Sequence, residues 1–129
     1  MATQVRTHLM FEGCAEEAMK FYVGLIPGSK IHSAEHYAEG PSKGKLKLAS
    51  FSLGGAEFLC IDSPAKHQFG FTPAMSIFVD CATVDELDHL YATLADRGQV
   101  FMPLANYGFS TKFGWVGDRF GVSWQLNLR

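Results

Sequence analysis

The sequence predicts an α+β fold in which two βαβββ modules form a curved mixed sheet with a concave cavity. Three observations predict it. The chain repeats itself once, each copy opens with a strand that runs into an amphipathic helix, and each copy closes on short alternating runs joined by glycine-bearing turns. With 129 residues, 47% of them hydrophobic, the chain can bury one core but is too short for two ordinary domains. Residues 1–129 are therefore expected to be a single domain, with a first module spanning about 1–64 and a second about 71–129.

Laying the chain over itself at an offset of about 67 residues brings Phe11, Cys14 and Ala15 onto Phe78, Cys81 and Ala82. Both triples end a strand and open a helix. The first helix carries Ala18, Phe21, Tyr22 and Leu25 on one stripe, and the second carries Leu87, Leu90, Tyr91 and Leu94 at the same i, i+3, i+4, i+7 spacing. The offset grows by about two residues at the loop holding Thr83, where Thr83 and Glu86 form a capping box. Pro27 and Gly28 stop the first helix, and Gly98 is expected to stop the second. Strand character follows over Lys30–Tyr37, Lys45–Leu53 and Ala56–Ile61, then over Val100–Leu104, Lys112–Val116 and Val122–Leu128. Gly54 and Gly55 predict a tight hairpin, and Asp118–Gly121 a slightly longer one.

A period of two sends neighbouring side chains of a strand to opposite faces. In the last strand Val122, Trp124, Leu126 and Leu128 should pack under the helices, leaving Ser123, Gln125 and Asn127 on the other face. Met75, Ile77 and Val79 alternate likewise with Ala74, Ser76 and Phe78. Carried through the repeat, this second row falls on Thr7, Leu9 and Phe11, so these residues are expected to line a mainly apolar cavity together with Gln125.

The formal charge of −2 and the pI near 6.2 argue against nucleic acid, which needs a clustered excess of Lys and Arg. Lys43, Lys45 and Lys47 alternate as they would on a solvated edge strand. No apolar run approaches the ~20 residues of a membrane span, and no secretory h-region opens the chain, so a cytoplasmic protein is expected. Cys14, Cys60 and Cys81 are odd in number and lack CxxC spacing, which predicts free thiols. Cys14 and Cys81 precede helices, where the dipole can lower a thiol pKa, while unreactive reduced thiols are the expectation.

The segments FEGCAEEAMKFY from Phe11, FTPAMSIFVDC from Phe71 and, most specifically, YGFSTKFGWVGDRFGVSWQLNL from Tyr107 resemble the PhnB-like branch of the vicinal-oxygen-chelate (glyoxalase, bleomycin-resistance, dioxygenase) superfamily. That branch is often labelled demethylubiquinone methyltransferase-like. The resemblance covers nearly the whole chain. It implies paired modules around a cavity, commonly a homodimer, and in many members a divalent metal held by His, Gln or Glu. The corresponding positions here are Thr7, Leu59, Ala74 and Gln125, of which only Gln125 carries a metal-binding side chain. One neutral amide does not make a cation site, so no cofactor is expected. A divalent metal is the lesser alternative, with His8, beside the expected position, as its other candidate ligand.

Several chemistries follow. Methyl transfer from an adenosyl donor would need a parallel sheet with a glycine-rich strand-to-helix turn, and none is legible. A metal-dependent lyase, isomerase or dioxygenase would need the missing ligands. A metal-free enzyme could use Glu57 as a base if its carboxylate sat near an apolar cavity. A binding module would capture a small, partly aromatic molecule with Tyr107, Phe113 and Trp115 as stacking surface, and with Ser76 and Gln125 fixing its orientation. The expected ligand-binding set is thus Thr7, Glu57, Ser76, Phe78, Tyr107, Phe113, Trp115 and Gln125. His67, in a loop leading to Phe69 and Phe71, is a further candidate near the cavity mouth.

Overall fold

A computed structural model describes residues 2–129. The chain divides into two compact units, Met1–Gln68 and Phe69–Arg129, each with the order strand, helix, three strands. The first holds β1 (Thr7–Phe11), α1 (Ala15–Leu25), β2 (Lys30–His36), β3 (Leu46–Leu53) and β4 (Ala56–Asp62). The second holds β5 (Ser76–Asp80), α2 (Val84–Ala95), β6 (Gln99–Ala105), β7 (Lys112–Gly117) and β8 (Ser123–Leu128). Each unit builds its own mixed four-stranded sheet, in the orders β1-β4-β3-β2 and β5-β8-β7-β6. In each, the first strand pairs parallel to the last, and the remaining pairs are antiparallel.

In the first unit α1 covers one sheet face. Its buried stripe is Ala15, Ala18, Met19 and Tyr22, and the sheet buries Ala49, Phe51, Phe58 and Cys60. Phe51 and Phe58 stack across β3 and β4 with ring centroids 5.3 Å apart. The helix lacks a side-chain cap from its own N-cap residue, Cys14. Asp62, at the end of β4 and 2% exposed, does that work from a distance. Its Oδ1 accepts the N–H groups of Gly13 (2.7 Å) and Ala15 (2.9 Å), and its Oδ2 accepts that of Leu46 (3.1 Å). One carboxylate thus ties the helix N-terminus and the start of β3 to the end of β4, where the helix dipole favours negative charge. Gly54 and Gly55 turn the β3–β4 hairpin with φ of 56° and 93°, the left-handed conformation that such a two-residue turn requires. The lysine expectation is corrected here: β3 lies between β4 and β2, so Lys47 projects from an interior strand. Lys45, just before β3, donates to the Gly13 carbonyl at 3.0 Å.

In the second unit Thr83 caps α2 by accepting the Glu86 N–H at 3.1 Å, while the Glu86 carboxylate accepts the N–H of Ala82 at 2.9 Å. Asp118 organises the β7–β8 turn. Its Oδ1 accepts from the Phe120 and Val122 N–H groups at 2.8 and 3.0 Å, and its Oδ2 from Trp124 Nε1 at 2.9 Å.

The end of α2 differs from expectation. The left-handed residue is Arg97, with φ of 57°, and Gly98 serves another purpose. A Cβ on Gly98 would collide with the carbonyl oxygen of Gly117 and with the Asp118 backbone, so glycine permits close backbone approach rather than helix termination. It follows that Arg97→Gly should raise stability by ~0.5–1 kcal/mol, since glycine avoids the Cβ penalty of the left-handed conformation but loses more entropy on folding. A shift of the urea midpoint to higher concentration at unchanged slope is the expected reading.

Candidate functional site

The register of the second sheet decides which side chains meet. β5 pairs with β8 through Ser76↔Ser123, Ile77↔Trp124, Phe78↔Gln125 and Val79↔Leu126, and β8 pairs with β7 through Gln125↔Trp115 and Asn127↔Phe113. Trp124, Leu126 and Val116 are fully buried, and a Cβ on Gly114 would touch the Tyr91 ring of α2, so this set faces the helix. Ser76, Phe78, Phe113, Trp115, Ser123 and Gln125 therefore share the helix-free face.

Two kinds of contact organise that face. A polar chain runs along it: Trp115 Nε1 donates to Ser123 Oγ (2.8 Å), the hydroxyls of Ser123 and Ser76 are 2.6 Å apart, and Gln125 Nε2 donates to Ser76 Oγ (3.2 Å). An aromatic cluster flanks it, centred on Phe113. Its ring lies 6.3 Å from Phe78, 6.2 Å from Tyr107 and 5.0 Å from Phe109. Phe109 and Phe78 remain 63% and 53% exposed, leaving apolar ring surface in reach of a ligand. The loop carrying Tyr107 and Phe109 is held by its own bonds, from Tyr107 Oη to the Pro103 carbonyl (2.5 Å) and from the Gly108 N–H to Asn106 Oδ1 (2.8 Å).

The structure thus brings Ser76, Phe78, Tyr107, Phe113, Trp115 and Gln125 together and adds Ser123 and Phe109. Ser123 was legible as a neighbour of Gln125 in the alternating last strand. Phe109 sits in a loop, where no periodicity marks it.

Thr7 and Glu57 belong to the first unit and lie on opposite faces of its sheet. Thr7 pairs with Phe58, the residue after Glu57, and Phe58 is buried under α1 with Cys60. Leu9 and Phe11, paired with Cys60 and Asp62, are 7% and 3% exposed. This corrects the cavity row carried over by the repeat, because Leu9 and Phe11 face the helix. Phe11 and Phe78 are aligned by the repeat yet point to opposite kinds of face, since a shift of one residue reverses every side chain in a strand. His8 and Met10 occupy the helix-free face instead, next to Leu59 and Ile61. Glu57, also on that face, has its Oε2 3.3 Å from His32 Nε2. His67 is tied to its own loop, with Nε2 2.9 Å from Ser63 Oγ and its backbone N–H donating to Glu12 Oε2.

A family model described as 3-demethylubiquinone-9 3-methyltransferase matches residues 3–127. The chain belongs to this 3-demethylubiquinone-9 3-methyltransferase family. The PhnB protein of Bacillus cereus, which carries the same family description, is 51% identical, with a TM-score of 0.95 over 98% of this chain and 100% of that one. The YjdN protein of Escherichia coli K12 is 25% identical over 116 residues, which are 88% of this chain and 78% of YjdN. A glyoxylase/bleomycin resistance protein/dioxygenase domain from Frankia, 16% identical, matches with a TM-score of 0.63 over 99% of this chain and 92% of that domain. The family's fold is therefore that of the glyoxalase and bleomycin-resistance proteins, as the βαβββ repeat predicts.

The divalent metal that the resemblance implies needs several converging N or O ligands. On the helix-free face of the second sheet Gln125 is surrounded by two hydroxyls and an indole N–H, and a donor-only N–H repels a cation. Among the described residues no group of three or more His, Cys, Asp or Glu side chains could hold a metal ion. Gln125 with these neighbours does not by itself make a cation site.

Two of the cysteines are held as unreactive thiols. Burial pushes the Cys81 thiol up to about 11, with the Glu86 and Asp80 carboxylates adding to it, against the lowering that a helix dipole can give. Burial, with help from Asp62, pushes Cys60 up to about 12. Both thiols should resist thiol reagents at pH 8 until the protein unfolds. Because the folded-state values lie above the ordinary thiol value of 9.0, unfolding releases protons at alkaline pH. Stability is then whole below pH 9 and lost as pH rises toward about 11–12, with a slope of ~1.4 kcal/mol per pH unit for each thiol. A Cys60→Ala, Cys81→Ala variant should show a shallower alkaline decline of Tm than the parent. Equal declines would contradict the assignment.

Among the described residues no helix is long and apolar enough to cross a membrane.

Proposed function

We propose that this chain is a small-molecule binding protein that seats a partly aromatic ligand on the helix-free face of its second sheet, without a metal ion. The observation that carries the reading is the alignment of the Ser76–Ser123–Gln125–Trp115 polar chain with the Phe78, Tyr107, Phe109 and Phe113 rings. Mostly apolar surface with a few convergent polar groups is the usual make-up of a small-molecule site. The polar chain itself carries no charged group, and Asp80, farther along the same face, is engaged by Asn127 Nδ2 at 2.9 Å, which favours a neutral ligand.

Two points speak for binding rather than for the methyl transfer in the family's description. An adenosyl methyl donor is held, in the usual way, at the glycine-rich strand-to-helix turn of a parallel sheet, whereas in the first unit the Gly13 and Ala15 N–H groups at that turn are already spent on Asp62. The turn into α2 is closed by the Thr83 and Glu86 side chains. A cytoplasmic homodimer is part of the same proposal, the dimer supported by the superfamily's habit and by the exposed apolar side chains Phe69 and Met75.

The test is a thermal-shift screen of aromatic metabolites and antibiotics, followed by recovery of the stabilising compound. One compound class should raise Tm and come back unchanged. Phe109→Ala should cut that shift by more than half while moving the ligand-free stability by no more than ~0.5 kcal/mol, as expected for an exposed side chain. Turnover of the compound would establish an enzyme instead. A stoichiometric divalent ion that Gln125→Ala released would overturn the metal-free reading.

A further inference from the structure

The polar chain on the second sheet has a direction, and that direction specifies the ligand's polar edge. An indole N–H can only donate, so at 2.8 Å from Trp115 Nε1 the Ser123 oxygen is an acceptor. The Gln125 amide nitrogen likewise only donates, so at 3.2 Å the Ser76 oxygen is an acceptor. One of the two hydroxyls must then donate to the other across their 2.6 Å contact, and the second keeps a proton for use elsewhere.

Exposure decides which. Ser123 is 2% exposed, and a buried hydroxyl proton without an acceptor is costly. Ser76 is half-buried. The bonds therefore run from Trp115 to Ser123 to Ser76, and the Ser76 proton is left pointing away from the chain. At the other end Gln125 uses Nε2 on Ser76, and among the described residues no hydrogen bond engages Oε1. Among the described residues every deeply buried side-chain oxygen or nitrogen is paired, so Oε1 is not sealed in the half-buried Gln125 side chain. The site thus offers two free donors, the Ser76 hydroxyl and the second N–H of Gln125 Nε2, beside one free acceptor, Gln125 Oε1.

We infer that the ligand is a neutral aromatic carrying an acceptor and a donor on adjacent atoms, as in a cyclic amide. Its acceptor takes the Ser76 proton, its N–H or O–H binds Gln125 Oε1, and its ring lies against the Phe113 cluster. This inference rests on the binding reading above and specifies the chemistry of that same face. A site built around paired donors and acceptors discriminates strongly against analogues that lack one of them.

The test uses two bicyclic probes of nearly equal shape on the full chain. 2-Quinolone presents a carbonyl beside an N–H, while 2-methoxyquinoline keeps acceptors and lacks the donor. Dissociation constants measured by calorimetry should favour 2-quinolone by at least tenfold. Gln125→Leu and Ser76→Ala, each checked for native circular dichroism and Tm, should both reduce the preference to below threefold; either variant suffices if the other fails to fold. Equal affinity for the two probes, lost in Phe109→Ala, overturns the paired-edge inference while supporting the aromatic binding face. Failure of both probes to bind at millimolar concentration overturns the inference, and failure of the whole aromatic screen as well overturns the binding reading beneath it.

Discussion

Replacing Asp62 by alanine is expected to cost ~3–5 kcal/mol of stability, because three buried or half-buried backbone N–H groups lose a charged acceptor together. These donors, on Gly13, Ala15 and Leu46, belong to the entry into α1 and the start of β3, so no local rearrangement can satisfy them all. The α1 N-terminus would also lose the negative charge that complements its dipole. Asp62→Asn keeps one acceptor oxygen and should fall between the parent and the alanine variant. Chemical denaturation read by circular dichroism measures the loss, and hydrogen exchange should locate it, with amides of α1 and β3 losing protection first. A loss below ~1 kcal/mol for Asp62→Ala would show that water or a neighbouring group replaces the carboxylate at little cost.

Gly98→Ala is expected to have the second large effect, a loss of ~3 kcal/mol or more. The added methyl would meet the Gly117 carbonyl oxygen and the backbone of Asp118, and backbone held in a sheet cannot move aside as the end of a side chain can. Gly117 is paired with Ser123 in the β7–β8 ladder, and Asp118 holds the turn that follows. The strain therefore falls on the strand pair that carries the candidate site. The control is Gly24→Ala, an exposed position in α1 with nothing within 4 Å of the added Cβ. It should stabilise by ~0.5–1 kcal/mol through helix propensity alone. Opposite signs for the two substitutions, read as shifts of the denaturation midpoint, would separate a packing glycine from an incidental one.

The site was legible where a strand's own alternation settles its faces. Ser76, Phe78 and Gln125 could be assigned to one row because Ile77, Trp124 and Leu126 are so plainly apolar between them, and the register bears out that row. The same argument failed for β1, where Thr7, Leu9 and Phe11 were placed by analogy with the second module. That analogy aligned strand ends, and a register error of one residue is invisible to an alignment of ends yet reverses the face. In β1 itself, His8 between Leu9 and Thr7 already carried the better signal.

The sequence by itself determined the repeated strand and helix order, the α+β class, the Gly54–Gly55 turn, the Thr83 cap and the polar row of the last strand. These depend on periodicity and turn chemistry within a few residues. Only the tertiary structure decided that Asp62 caps a helix 47 residues away in the chain, that Gly98 yields to a backbone carbonyl rather than ending α2, and that Cys81 is masked by burial. It also decided that Trp115, Ser123, Ser76 and Gln125 form one directed hydrogen-bond chain. The physical reason is common to all of these. Each depends on atoms brought together across strands or turns, where spatial proximity, and not spacing along the chain, sets the energy.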